Sequence, residues 1–422
     1  MKKAAGVALI LLLLAVGCGY LSPAQSPLLD EPFETSTEIS LWSTVIQEHI
    51  PIFEDAIAQF TAENPGVNVT FVNMDGEAYK ARIRVMAASN QLPDVFNYWV
   101  GEQFNSLVRS GNVRDLTDMM NPDFRDSFLP GSLEALTIDD RIYGIPSAIT
   151  YKMIFYNRRI FYENDLTAPV TYNELLQAID ILAENGVTPI VIGGMDRWPF
   201  LGWFAYLAQR IGGTQLYMDA VAGNASFAEP PFVQAGEYFR DLAERGFMRG
   251  AMAIDATTAD AIFASGGGAM MLMGAWAIPV YTACPYAAGD FGFFPFPVIE
   301  SGIGGSGYLY GGIANAFAMS NAVENPNEAQ AFLMFLMGEN IQAHLMETSG
   351  GAPTVEVSPN RDNMIPLAYE FSRFLFNESV TGFFPYTDQA VRADKAERLL
   401  NAMVAIFLDS DADIKAELER IR

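Results

Sequence analysis

Residues 91–104, QLPDVFNYWVGEQF, place two carboxylates, Asp94 and Glu102, on either side of the ring pair Tyr98 and Trp99. Such a run reads either as a buried strand or as the lip of a binding site. Val95 and Phe96 suit a strand core. Asp94 follows a proline where the strand begins. There a carboxylate either caps backbone N–H groups or accepts hydrogen bonds from a bound molecule. Tyr98, Trp99 and Glu102 stand where the strand ends, and in open α/β sheets ligands lie beyond the carboxyl ends of strands. The first half is therefore expected to be core and the second half a cleft lip. Other aromatic residues also follow turns or strand ends. Trp276 comes two residues after Gly274, Trp198 follows a Gly-Gly turn, and Trp42 with Ser43 ends the first strand. Tyr308 and Tyr310 precede Gly311-Gly312, whereas Trp203 falls inside a helical pattern and reads as core.

Several other chemistries are poorly served by this composition. Two cysteines, Cys18 and Cys284, and two histidines, His49 and His344, exclude a Cys/His zinc site and leave little room for a Ser-His-acid triad. The GGG at 266–268 lacks the Lys-Ser/Thr of a P-loop. The methionine cluster at 270–273 reads as a buried strand, because copper motifs pair Met with His. No metal and no cofactor are expected. With 25 basic and 50 acidic residues the formal charge is −25, so nucleic acid and anionic membrane surfaces are poor partners. The plain reading of that acidity is solubility. Abundant acids leave a two-carboxylate glycosidase open on composition alone.

The elements that must position these residues follow from periodicity. A chain of 422 residues, half of them hydrophobic and 18% charged, suits two lobes with large cores. EISLW reads as a strand, 51–63 as a helix stopped by Asn64-Pro65-Gly66, VNVTFV as a strand, and 76–89 as a helix before PDVFNYW. This rhythm argues for an α/β lobe with a largely parallel sheet. RIYGIPSAIT and YKMIFYN read as two strands around Pro146-Ser147. TYNELLQAIDILAENG reads as a helix with a Thr171/Glu174 capping box and a terminal Gly186. PIVIGG, FGFFPFPVI and GYLYGGIANAFAMS read as strands, with SGIGGSG as a loop. Asn325-Pro326 opens a helix, and helices fill most of 325–348 and 363–422.

The amino terminus, MKKAAGVALILLLLAVGCGY, has two lysines and then a short apolar run, which marks 1–17 as a secretory signal. Cys18 after Gly17 resembles a lipoprotein lipobox, although Ala15 stands where that pattern has leucine. Lipidation of Cys18 would leave Cys284 without a partner, so no intramolecular disulfide is expected. Residues 18–36 read as a flexible tether, with the lipid in the membrane and the body in water.

The ordered set SLWS, FTAENPGVNVTFV, LPDVFNYW, LVRSGNVRDLTD, RIYGIPSAITYKMIFYNRRIF, APVTYNELLQAIDIL, FASGGGAMMLMGAW, FGFFPFP and NPNEAQAFLMFL resembles the family 1 extracellular solute-binding proteins of ABC importers, in their sugar-binding branch. The resemblance implies a two-lobe clamshell, each lobe a mostly parallel sheet flanked by helices. The first lobe would hold 37–147 and 297–346, and the second 148–296 and 347–422. It implies a monomeric, non-enzymatic lipoprotein of the cell envelope, at the outer face of the cytoplasmic membrane or in the periplasm. Such a protein captures a carbohydrate, an oligosaccharide above all, and delivers it to permease subunits. Sugars present C–H faces that stack on rings and hydroxyl rims that need acceptors. On that basis Trp276, a stacking platform in the family, joins Trp99, Asp94, Glu102, Tyr98, Trp198, Trp42, Ser43 and Tyr310 as expected ligand contacts. Few basic residues near the lip favour a neutral sugar. Glu48, Glu77, Asp94 and Glu102 would instead suit a cation, so a polyamine or another non-sugar solute such as a polyol remains the alternative, and a secreted glycosidase the enzymatic one.

Overall fold

The alternating run TEISLWS forms β1, Thr37–Ser43, with Ile39, Leu41 and Ser43 buried and their neighbours less so. In the computed structural model the described residues are 36–284, 290–357, 361–376 and 379–421. The expected signal segment, Cys18 and the tether up to residue 35 lie outside them. Ser36–Arg422 forms a unit of its own.

Strand β1 pairs in parallel with β2, Val67–Asn73, and with β3, Val95–Trp99. The helices Ile50–Glu63 and Gly76–Ala88 are the crossovers. The first buries Phe53, Ala56 and Phe60, a spacing that lays one stripe along the sheet. The second is capped by Asp75, whose side chain accepts from the Glu77 N–H at 3.1 Å. That cap fixes Asp75, Gly76 and Glu77 just beyond the end of β2.

Five further strands complete the sheet: β4, Ile145–Asn157; β5, Met270–Gly274; β6, Phe291–Phe294; β7, Tyr308–Met319; and β8, Gly382–Phe384. The order is β2–β1–β3–β7–β4–β5, with β8 beside β7 and β6 beside β4. The sheet is mixed. Among these eight strands the parallel pairs are β1–β2, β1–β3 and β7–β8, and the other described pairs are antiparallel. The reason is that β4 and β7, 13 and 12 residues long, each run from one half of the sheet into the other. The far end of β7 pairs with β3, its middle with β4, and the second half of β4 with β5 and β6.

RIYGIPSAIT and YKMIFYN are therefore largely one strand rather than two. Pro146 is absorbed by register shifts on either side of Ala148, as expected of a residue with no N–H to give. PIVIGG makes only single bridges, from Ile190 to Phe247 and Met270. The capping box at Thr171 and Glu174 is present as read. Among the described residues no helix is long and apolar enough to cross a membrane.

Aromatic pairs run through both halves of the core. Phe53 packs on Phe317, and Phe60 on Phe332, at one end. At the other, Tyr151 and Phe155 stack on Phe371, and Trp203 packs on Phe247 and Phe296. Arg210, fully buried, donates to the carbonyls of Phe296 and Gly305 at 3.0 Å, which ties down the SGIGGSG loop ahead of β7. The Tyr206 hydroxyl bridges the long strands: it donates to Lys152 O at 2.5 Å and accepts from Tyr310 N at 3.0 Å.

The crossing itself needs glycine. A Cβ at Gly311 would stand 2.2 Å from Thr150 O on the partner strand. Gly311→Ala is expected to cost about 1–3 kcal/mol, the usual penalty of overpacking a filled site. Chemical denaturation of the variant beside the parent checks this.

Candidate functional site

Beyond the carboxyl ends of β1, β2 and β3, and against the long strands, lies a cleft of about 230 Å³. Thr44 reaches it after β1, Asp75, Gly76 and Glu77 after β2, and Trp99 at the end of β3. The opposite side brings Lys152 on β4, Asp196 and Trp198, Asp260 on the helix Ala256–Ala264, and Trp276 after β5. Tyr310 and Asn315 on β7 and Tyr386 and Asp388 after β8 complete it.

Local backbone chemistry places the rings. Only glycine at 274 lets the Trp276 indole fold back over the strand end, because a Cβ there would meet the ring at 2.0 Å. Trp198 follows a tight turn at Arg197, whose φ is +64° and whose guanidinium pairs with Glu397 at 2.6 Å. Trp198 and Trp276 meet edge to face at 6.5 Å and 63°. Trp276 meets Tyr386 at 6.4 Å, and Tyr386 meets Tyr310 at 4.9 Å. Together these rings form an aromatic corner.

Polar groups fill the gaps between them. Lys152 is 3% exposed, and burial pushes its pKa down to about 7 against the opposing pull of Asp388 and Asp260. Asp260 accepts from the Tyr281 hydroxyl at 2.8 Å, and burial pushes its carboxyl up to about 7. Lys80 pairs with Glu77 at 2.9 Å and lies 3.9 Å from Asp388. Burial lowers its pKa, but these acids outweigh that and raise it. Asp196 accepts from Ala256 N at 2.8 Å, and burial raises its pKa. Asn315 Oδ1 is buried without a hydrogen-bond partner, an acceptor that a bound donor would satisfy. The arrangement offers flat faces for a C–H surface and acceptors for hydroxyl or amine donors. Among the described residues no group of three or more His, Cys, Asp or Glu is placed to hold a metal ion.

Of the residues expected from sequence, Trp99, Trp198, Trp276 and Tyr310 line this cleft. The other five lie elsewhere. Tyr98 is buried with Tyr79 and Phe104, with its ring edge-on to that of Trp99 at 5.7 Å, and it does not line the cleft. Asp94 is at the wrong end of β3, roughly 15 Å from the cleft end at about 3.3 Å per residue. It accepts from Ser40 N and Oγ at 2.8 and 2.7 Å, the capping role rather than the ligand role. Glu102 pairs with Arg109 at 2.5 Å along its own helix. Trp42 lies under the Arg82 guanidinium at 5.7 Å, and Ser43 is fully buried. Sequence reasoning missed Lys152, Asp260, Tyr386, Asp388 and Asn315. Lys152 alone carried a signal, since a lysine inside an apolar strand is rarely buried without a function or a partner.

Comparison with known proteins was decisive for the family. Residues 46–343 match the family model described as bacterial extracellular solute-binding protein. The chain is a bacterial extracellular solute-binding protein. The family is the one its ordered motifs resemble. An uncharacterized ABC transporter extracellular-binding protein of Pyrococcus horikoshii is 24% identical to this solute-binding protein, over 90% of this chain and 85% of that one. The multiple sugar-binding protein of Streptococcus mutans is 21% identical over 85% and 87%. A structure solved in work on xylan utilization by the thermophilic bacterium Caldanaerobius polysaccharolyticus superposes with a TM-score of 0.87, at 26% identity, covering 91% of this chain and 98% of that one. A chitin oligosaccharide binding protein superposes with a TM-score of 0.83, at 20% identity, covering 92% and 97%. The two-lobe α/β architecture is thus that of the solute-binding proteins, whose members are binding components rather than enzymes. Extracellular solute-binding proteins of ABC importers are associated with the envelope and work with permease subunits.

Proposed function

We propose that this solute-binding protein captures a carbohydrate, of oligosaccharide type, between its lobes and delivers it to the permease of an ABC importer. The observation that carries this is the corner of Trp198 and Trp276, with Trp99 lining the other side and the unpartnered Asn315 Oδ1 between the flanking strands. Rings of this kind take the C–H face of a pyranose, and the acceptors take its hydroxyls. Relatives named for multiple sugars and chitin oligosaccharides support the same class.

The lobes are assigned as 37–147 with 297–346, and 148–296 with 347–422. Leu309 and Tyr310 cluster with residues assigned to the second lobe and Val355 with residues assigned to the first, which would move these edges by a few residues. Lobe closure over the solute would pivot where β4 and β7 cross. A signal at 1–17, lipid on Cys18 and a tether over 18–36 would hold the monomeric body at the envelope.

A polyamine binder is the second reading, favoured by five carboxylates in the cleft, Asp75, Glu77, Asp196, Asp260 and Asp388, against two lysines. The test is intrinsic tryptophan fluorescence, titrated with maltose, raffinose, galactose, chitin and xylan oligosaccharides, and spermidine. A saturable change with one sugar is expected. Silence across all the sugars, confirmed by calorimetry, would overturn the carbohydrate reading.

A further inference from the structure

Lys152 stands in the second half of β4 with its Nζ ringed by four aromatic faces. Trp198 is at 4.0 Å, Tyr310 and Tyr386 at 5.7 Å, and Trp276 at 5.9 Å. Gly202, on the helix Trp198–Ala222, lies beside it: a Cβ there would be in van der Waals contact with Nζ at 3.4 Å. Rings arranged this way are the receptors used for ligand ammonium groups. Here the protein supplies the cation itself.

The charged and titratable groups around it are few. Asp388 faces it from the segment after β8, Asp260 from the helix Ala256–Ala264, and Lys80 from the helix Gly76–Ala88. The phenols of Tyr310 and Tyr386 are turned to Thr387 and Thr150. Among the described residues no carboxylate comes within 4.0 Å of the Lys152 Nζ, and none accepts a hydrogen bond from it. An ammonium has three hydrogen bonds to give, and ring faces satisfy none of them fully. The side chain lines the cleft, so an oxygen of a solute held there can accept from the ammonium.

We infer that Lys152 sets the class of solute. Its ammonium fills the aromatic cage and turns an amine site into a donor site. The cleft therefore takes polyhydroxy solutes that bring oxygen acceptors to Nζ, and it refuses polyamines and other organic cations despite its carboxylates. This rests on the carbohydrate reading and narrows it.

A second consequence is linked proton uptake. With the cleft empty, burial holds Lys152 near pH 7. A solute oxygen accepting from the ammonium raises that value. Affinity is then full below about pH 7 and falls as pH rises towards the raised pKa of the complex. Asp260 titrates in the same range, so Lys152→Met, which keeps Asp260, separates the two: proton uptake that persists in that variant belongs to Asp260 and not to Lys152.

The experiment is calorimetric titration of the full chain and of Lys152→Met with tetramethylammonium, with spermidine, and with the sugars named above. The parent is expected to bind no amine. Lys152→Met is expected to gain tetramethylammonium binding and to lose sugar affinity by about 10- to 100-fold, the worth of a charged hydrogen bond. The variant should melt no lower than the parent, since a buried charge has been removed. Titrating the parent near pH 8 in phosphate and in Tris should reveal net proton uptake on sugar binding. Unchanged sugar affinity in Lys152→Met with no gain of amine, or no proton uptake in the parent, overturns the inference alone. Spermidine binding by the parent with no sugar bound overturns the inference and the carbohydrate reading together.

Discussion

Replacing Trp276 with alanine is expected to weaken sugar binding about 100-fold while leaving the melting temperature nearly unchanged. The indole lines the cleft, edge-on to both Trp198 and Tyr386, and it is only partly buried. Truncating a tryptophan at the centre of a desolvated site typically costs 2 kcal/mol or more, and about 1.4 kcal/mol is tenfold in affinity. The ring is folded over Gly274 and rests, partly buried, against the edges of the cores, so its loss removes contact surface more than core. Calorimetry on parent and variant with the sugar found by fluorescence decides the matter. Trp276→Phe should recover part of the loss, because a stacking face remains. A change in affinity smaller than about threefold would take Trp276 out of the site.

Trp203→Ala is expected to do the reverse. It should destabilise the protein by roughly 3–5 kcal/mol. Trp203 is 1% exposed and packs on Phe247 at 5.5 Å and Phe296 at 5.7 Å. Removing it leaves a cavity that rings on two sides cannot easily close. It shares a helix with Trp198, five positions earlier. At about 100° per residue the two indoles point about 140° apart, so one reaches the cleft and the other the core. Urea unfolding of the variant measures the effect. A loss under about 1 kcal/mol would show that this layer is not packed as described.

Much of this was legible in the residues alone. Period-two and period-3.6 patterns, the Thr171 capping box and the Asn64-Pro65-Gly66 stop are local, and β1, β2, β3 and the helices at 50–63 and 172–184 formed where they pointed. The ordered motifs were enough to suggest the family. The rule that ligands lie past strand ends found Trp99, glycine turns marked Trp198 and Tyr310 beside them, and the family resemblance pointed to Trp276; all four line the cleft. Only the folded chain decided the rest. Tyr98 and Trp99 are neighbours with equal claims, and which of them reaches the cleft depends on where the helices pack. Asp94 and Glu102 were acids near the right motif, and Ser40 and Arg109 claimed them first. Lys152, Asp260, Asn315, Tyr386 and Asp388 are brought together by the crossing of β4 and β7 and by β8 returning beside them. The Thr150–Tyr386 contact spans 236 residues. No local pattern encodes such a meeting, because it is set by pairing between distant strands rather than by the preferences of any one of them.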